Sequence, residues 1–228
     1  MNSKLEAKID AIKEMSIEEL CEKFECKPKE ICMGDYIARN TTDTVCPYKV
    51  ILGFANFEGS DVVSLGKLEV VYGKKITENG FVYRDLSRNA IYSGINLKNS
   101  KITSLGNLRK VYGSISLNEN IKSLGNLAFL GSNLYLNKTQ LKRIDSELKI
   151  DGTLNIEDCQ LTSLGKLQAV RVINISSNSL KDFGELEHVK KVDFIKPYNL
   201  RTKKWFEDNF VYHKGKFVRK DLLTEVEV

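Results

Sequence analysis

The sequence predicts an α/β solenoid of about eight short units stacked into a parallel β-sheet, with a helical cap before them and a mixed cap after. Three observations predict it. A pair of apolar residues two apart starts at Ala55, Ile76 (imperfectly), Ile95, Ile115, Leu134, Leu154, Ile173 and Val192, at intervals of 21, 19, 20, 19, 20, 19 and 19 residues. A period near 20 marks units that each contact only their neighbours. Ser-Leu-Gly-x-Leu recurs at 64–68, 104–108, 123–127 and 163–167. The flanks lose this period, which divides the chain into an N-terminal helical cap over 1–50, a solenoid over 51–195 and a C-terminal cap over 196–228.

The N-terminal cap reads as helix over residues 3–25. Leu5, Ile9 and Ile12 stand at helical spacing, and Ser16-Ile-Glu-Glu19 is a capping box opening a second helix through Leu20 and Phe24. Pro28 and Pro47 punctuate the rest of the cap.

One unit is cleanest from Leu154 to Leu167, with apolar residues at offsets 0, 2, 7, 10 and 13: Leu154, Ile156, Leu161, Leu164 and Leu167. The first two are the inward residues of a short strand. The later ones, three apart, suit a tight, 3₁₀-like return. Offset 5 carries Ser100, Asn120, Thr139, Cys159 or Asn178, small groups able to bond the turn backbone. A single unit has about five such apolar side chains, too few to offset the entropy of ordering some 20 residues, so units must stack. This pattern resembles the leucine-rich repeat family over roughly residues 50–195. The short unit looks most like the bacterial-type repeats of pathogen effectors, but it writes Ser-Leu-Gly-x-Leu where those carry Pro-rich junctions. The resemblance implies a binding protein, an inhibitor or effector that occludes a partner's active surface.

Two units are degraded. The unit at Ile115 has Ile121 one residue early. The unit at Ile76 places Glu78 at the second inward position, then Asn79-Gly80, a turn signal, before Tyr83 and Leu86 restore the offsets. It reads as a repeat whose turn bulges outward. The segment from Glu78 through Arg84 to Arg88 is a candidate binding protrusion.

After Phe194, Trp205 and Phe206 lie in a helical stretch, and Phe210–Val218 reads as a hairpin turning at Lys214-Gly215. Aromatic residues here would plug the last repeat.

The residues between the inward apolars form a polar row on the concave sheet face, rich in Asn and Ser with one Tyr. The candidate protein-binding residues are Asn96, Ser116, Tyr135, Asn155 and Asn174, flanked by Lys98, Asn118, Asn137 and Glu157 in the next row, which ends at Ile195. Tyr135 is the expected anchor, because interface hot spots favour Tyr, Trp and Arg.

Net charge is +5, and residues 190–220 alone carry 10 Lys/Arg against 3 Asp/Glu. Arg201, Lys203, Lys204, Lys216 and Lys220 interleave with Tyr198, Trp205, Tyr212 and Phe217, the chemistry of phosphate contact and base stacking. Nucleic acid is therefore the alternative partner, although no nucleic-acid motif is present.

Five cysteines and a charged, non-secretory N-terminus argue for reduced thiols and a cytoplasmic protein, with a non-Sec export route left open. Cys21, Cys26, Cys32 and Cys46 are spaced 5, 6 and 14 apart, without the paired knuckles of a zinc site. No stretch is apolar enough for a membrane span. With two histidines, His188 and His213, and no Ser/His/Asp set, H-E-x-x-H or phosphate loop, neither catalysis nor a cofactor is expected.

Overall fold

Each turn of the chain is built from two short strands and a tight return, and the turns stack in parallel. The structure is a computed structural model and describes residues 3–73, 76–78, 81–83 and 94–223. Two helices come first, α1 (Ser3–Lys13) and α2 (Ile17–Phe24). The early turns hold β1 (Ile31–Cys32) followed by β2 (Tyr36–Ile37), then β3 (Val50–Ile51) followed by β4 (Ala55–Asn56). Next come β5 (Val70–Val71), a hairpin of β6 (Ile76–Glu78) and β7 (Phe81–Tyr83), and β8 (Ile95–Asn96). The subsequent turns hold β9 (Lys110–Val111), β10 (Ile115–Ser116), β11 (Phe129–Leu130) and β12 (Leu134–Tyr135). In the last three turns the two strands merge into β13 (Lys149–Glu157), β14 (Ala169–Ser176) and β15 (His188–Phe194). The chain ends in α3 (Leu200–Asn209) and a hairpin of β16 (Phe210–His213) and β17 (Lys216–Arg219).

The strands form two parallel ladders of eight rungs each. One runs β1-β3-β5-β9-β11-β13-β14-β15, and the other runs β2-β4-β8-β10-β12 into the same last three strands. This is an α/β solenoid of about eight turns with a helical N-terminal cap and a mixed C-terminal cap, a leucine-rich-repeat-like architecture. The expected offsets point inward: Leu154, Ile156, Leu161, Leu164 and Leu167 are buried, as are their counterparts along the stack up to the last rung, where Val192 and Phe194 are half-buried. A further inward column was not anticipated. Val71, Val111, Leu130, Ile150, Val170 and Val189 line the inside of the first ladder.

The unit at Ile76 is not a rung. Ala55 pairs directly with Ile95, and Asn56 with Asn96. Ile76–Glu78 instead pairs antiparallel with Phe81–Tyr83 in a separate two-stranded sheet. The chain leaves the stack at Gly73, whose N–H bonds Gly53 O at 3.0 Å, and returns at Gly94, whose carbonyl accepts from Ala55 N–H at 2.9 Å. Gly73 and Gly94 therefore stack on the consecutive residues Gly53 and Phe54. The interposed residues 74–93 number one period, which is why the spacing conceals them. The missing rung is supplied by Tyr36–Ile37, so the ladders begin at Ile31, inside the segment expected to cap them.

The Ser-Leu-Gly motif builds the return. The Ser Oγ accepts from the Gly N–H two residues on, at 3.0–3.1 Å, for Ser64, Ser104, Ser123 and Ser163, and Asp182 does the same for Gly184 at 2.9 Å. The turn groups at offset 5 divide. Ser100, Thr139 and Cys159 are buried, whereas Asn178 is exposed and Asn120 half-buried. In those two turns the work passes to Asn118, which donates to Ser100 Oγ and Ile102 O, and to Ser179, which donates to Cys159 O and Leu161 O.

The capping box forms as read: Ser16 Oγ accepts from Glu19 N–H, and Ser16 N–H donates to Glu19. The helical cap seats on the first rungs of the stack. Ile9 and Leu20 pack on the outer face of the first ladder, against Ile31, Val50, Leu52, Val70 and Tyr72. At the other end, β17 pairs antiparallel with β15 and shields part of its edge. Phe206 stacks on Phe210 at 4.8 Å, and both lie against Phe183 of the last return. The hairpin turns at Lys214 and Gly215, both at positive φ.

Two glycines separate the conformational from the steric role of the return. Both Gly106 and Gly125 sit near φ +55°. A Cβ on Gly106 meets nothing within 4 Å, whereas one on Gly125 would stand 2.3 Å from Gly106 O. Gly106→Ala is expected to cost about 1–2 kcal/mol from the left-handed backbone alone. Gly125→Ala should cost clearly more. Denaturant unfolding of the two variants measures the difference, and equal losses would contradict direct stacking of the returns.

Candidate protein-binding face

Along the second ladder, up to its last rung, the strands bury the residues on either side of an outward-facing one. The outward row is Asn56, Asn96, Ser116, Tyr135, Asn155, Asn174 and Asp193, in register from strand to strand. The row is not uniformly open. Asn96 is 0% and Ser116 1% exposed, and Asn118 beside them is also buried. Asn96 Nδ2 donates to Glu58 Oε2 at 2.9 Å, and its Oδ1 accepts from Lys98 N–H at 3.1 Å. Ser116 Oγ is buried without a hydrogen-bond partner. Three of the expected contact residues are thus interior groups. Lys98, Tyr135, Asn137, Asn155, Glu157 and Asn174 reach solvent.

The accessible residues are held by one another across the rungs. Asn174 Nδ2 donates to Asn155 Oδ1 at 2.9 Å, and Asn137 Nδ2 donates to Glu157 Oε2 at 2.8 Å. The Tyr135 hydroxyl accepts from Asn133 Nδ2 at 3.2 Å. Asn133 is buried and itself fixed, since its Oδ1 accepts from Thr153 N–H at 2.9 Å. Side chains held this way lose little rotamer freedom when a partner arrives.

The polar row runs into a depression of about 750 Å³ at the C-terminal end, where Val192, Phe194, Ile195 and Tyr198 stand beside the charged Asp193, Lys203 and Glu207. Phe194 and Tyr198 rings lie 5.4 Å apart, and Ile195 is 51% exposed. Lys191 pairs with Asp193 at 2.7 Å at this end of the row. Sequence reasoning read Val192 and Phe194 only as inward residues and Tyr198 only as part of the basic segment. The available signal was Ile195, the one apolar residue in a row otherwise made of Glu, Asn, Lys and Ser.

The other candidate regions fare differently. Glu78 closes β6 opposite Phe81, while Arg84 and Arg88 lie outside the described residues. In the basic segment, Lys203 pairs with Glu207 at 3.7 Å. Lys220 Nζ donates to the carbonyls of Glu207 and Asp208, capping the end of α3. Trp205 stacks on Phe183 at 5.7 Å, and Phe217 packs on Phe206, so the aromatics expected to meet bases serve the core instead. Tyr212, at 63% exposure, remains outside with the exposed Arg201 and Lys204, while Lys216 is half-buried.

All five thiols are free. Burial pushes the Cys46 thiol up to about 11 and raises that of Cys159. Cys26 is raised by burial and by Cys21 beside it. Burial, then Lys216, lowers His188. Among the described residues no group of three or more His, Cys, Asp or Glu is placed to hold a metal ion, and no helix is long and apolar enough to cross a membrane. Comparison with known protein families, curated proteins and solved structures finds no match to this chain.

The thiol environments give a direct check. Only a thiolate alkylates readily. At pH 8 iodoacetamide should modify Cys21, Cys26 and Cys32 in the folded protein well before the buried Cys46 and Cys159, as read by peptide mass spectrometry. Rapid modification of Cys159 would contradict its place in the turn.

Proposed function

We propose that this chain is a non-enzymatic leucine-rich-repeat protein that binds a partner protein on the second ladder, from Tyr135 through Asn155 and Asn174 to the depression at Phe194, Ile195 and Tyr198. The observation that carries this reading is the continuity of a fixed polar row with a depression in which the apolar Val192, Phe194, Ile195 and Tyr198 are bordered by Asp193, Lys203 and Glu207. An apolar centre bordered by satisfied polar groups is the anatomy of a protein interface. The four rungs from Tyr135 to Asp193 span about 14 Å at the ~4.8 Å strand spacing. Together with the depression they offer a patch of the order of one partner's usual footprint, about 800 Å².

The mechanism rests on rigidity. The row's positions are set by the buried columns beneath it, so binding requires no folding of this chain. A partner held there has its own surface covered, which is the action of an inhibitor or effector. Tyr135 supplies the aromatic anchor at one end and Ile195 the apolar anchor at the other.

The test is affinity capture from the source cell with the wild-type chain and with a Tyr135→Ala, Ile195→Asp double variant. Truncating a hot-spot residue costs about 2 kcal/mol or more, roughly thirtyfold in affinity. The protein recovered by the wild type should be lost by the double variant, while circular dichroism shows the same fold. Equal recovery by both would overturn the reading.

A further inference from the structure

A second surface lies on the opposite ladder. The helices α1 and α2 cover the outer face of the first ladder only over its first rungs. Beyond them the aromatic surface continues: Phe24 meets Tyr72 edge-on at 6.3 Å, Tyr72 stacks on Tyr112 at 4.8 Å and 8°, and Tyr112 meets Phe129 at 5.5 Å. Tyr72 is buried, whereas Tyr112 and Phe129 are half-buried. The step from helices to bare ladder forms a cleft of about 780 Å³, its walls including Ile12, Met15 and Phe24 and its floor Val70, Tyr72 and Tyr112. Lys13 Nζ donates to Gly73 O at 2.7 Å, which ties the end of α1 to the ladder beside the cleft.

The charges lining this cleft are four cations and one carboxylate. Lys8, Lys23, Arg109 and Lys110 line it and are exposed. None of the four has an ion-pair partner among the described residues. The one carboxylate on the lining, Glu69, is paired with Lys49 at 3.5 Å. A small-molecule site would place a few buried polar groups where they fix the ligand's orientation. Here the charged groups stand on an exposed rim and the floor is aromatic and aliphatic.

We propose that this cleft is a docking site for an acidic amphipathic helix of a partner protein. The helix lays its apolar face on the half-buried Tyr112 and Phe129 and sets its carboxylates against Lys8, Lys23, Arg109 and Lys110. Two features identify the occupant. The unpaired cations call for anionic side chains flanking an apolar stripe. The chain already seats helices on this same sheet face through Ile9 and Leu20, so the incoming helix extends an arrangement the fold accommodates.

The test uses the full chain and fluorescein-labelled 18-residue peptides read by anisotropy. One has Leu at helical spacing and Glu elsewhere, one replaces each Glu with Lys, and one scrambles the Glu peptide to remove the spacing. A labelled 20-nucleotide single-stranded oligonucleotide is the fourth probe. The Glu peptide should bind at least tenfold more tightly than the other three. An Arg109→Glu, Lys110→Glu variant should weaken it at least tenfold with an unchanged thermal melt, since both residues are exposed. Equal binding of the Glu and scrambled peptides, no binding of any peptide, or an unaffected variant would overturn the proposal. Tighter binding of the oligonucleotide would overturn it in favour of a nucleic-acid surface.

Discussion

The structure depends on rung-on-rung stacking of like residues. Ala55, Ile95, Ile115, Leu134, Leu154, Ile173 and Val192 lie in one register, each paired with the next by parallel backbone bonds. A slip of one residue would turn the outward row of Asn, Ser and Tyr into the core and every Leu and Ile to solvent. No turn can bury its apolar side chains alone, so each exists as part of the column. The returns obey the same constraint. Stacked turns leave no room for a side chain between Gly165 and Gly184, where an added Cβ would stand 2.2 Å from the carbonyl below.

That constraint also makes the surfaces. Alternation along a strand sends every second residue outward, and stacking aligns those residues in straight rows about 4.8 Å apart. Two ladders produce two outer faces of different chemistry. The first is apolar and basic, and is partly covered by the chain's own helices. The second is polar and bonded within itself, and it ends in the depression at Ile195. The hairpin β16–β17 completes the stack where its last edge would otherwise stand open. Trp205 and Phe217 are half-buried there, packed on Phe183 and Phe206.

Much of this was legible from residue spacing. Strong, local, repeated signals survived translation into structure: the inward offsets of the Leu154 turn, the Ser16–Glu19 box and the Lys214-Gly215 hairpin. The failures have physical causes. The inserted residues 74–93 preserve the period because their number equals one unit, so Ile76 passes for a rung. The true first rung, Tyr36–Ile37, stands one 19-residue interval before Ala55 but lacks the Ser-Leu-Gly return that marks the later units. Burial of Asn96, Ser116 and Asn118 depends on what surrounds a rung, which spacing within a unit does not encode. The docking of α1 and α2 on the outer face of the first rungs depends on Val50, Leu52, Val70 and Tyr72, outward apolar positions that lie outside the inward offsets of the unit.

The most direct measurement is amide hydrogen exchange on a chain with residues 74–93 deleted and Gly73 joined to Gly94. The N–H groups of Ala55 and Phe57 bond across this junction, to the carbonyls of Gly94 and Asn96. Continuous stacking predicts that both amides stay as protected as in the full chain and that unfolding remains a single cooperative transition. Loss of protection at Ala55 and Phe57, or separate unfolding of the parts before and after the junction, would contradict it.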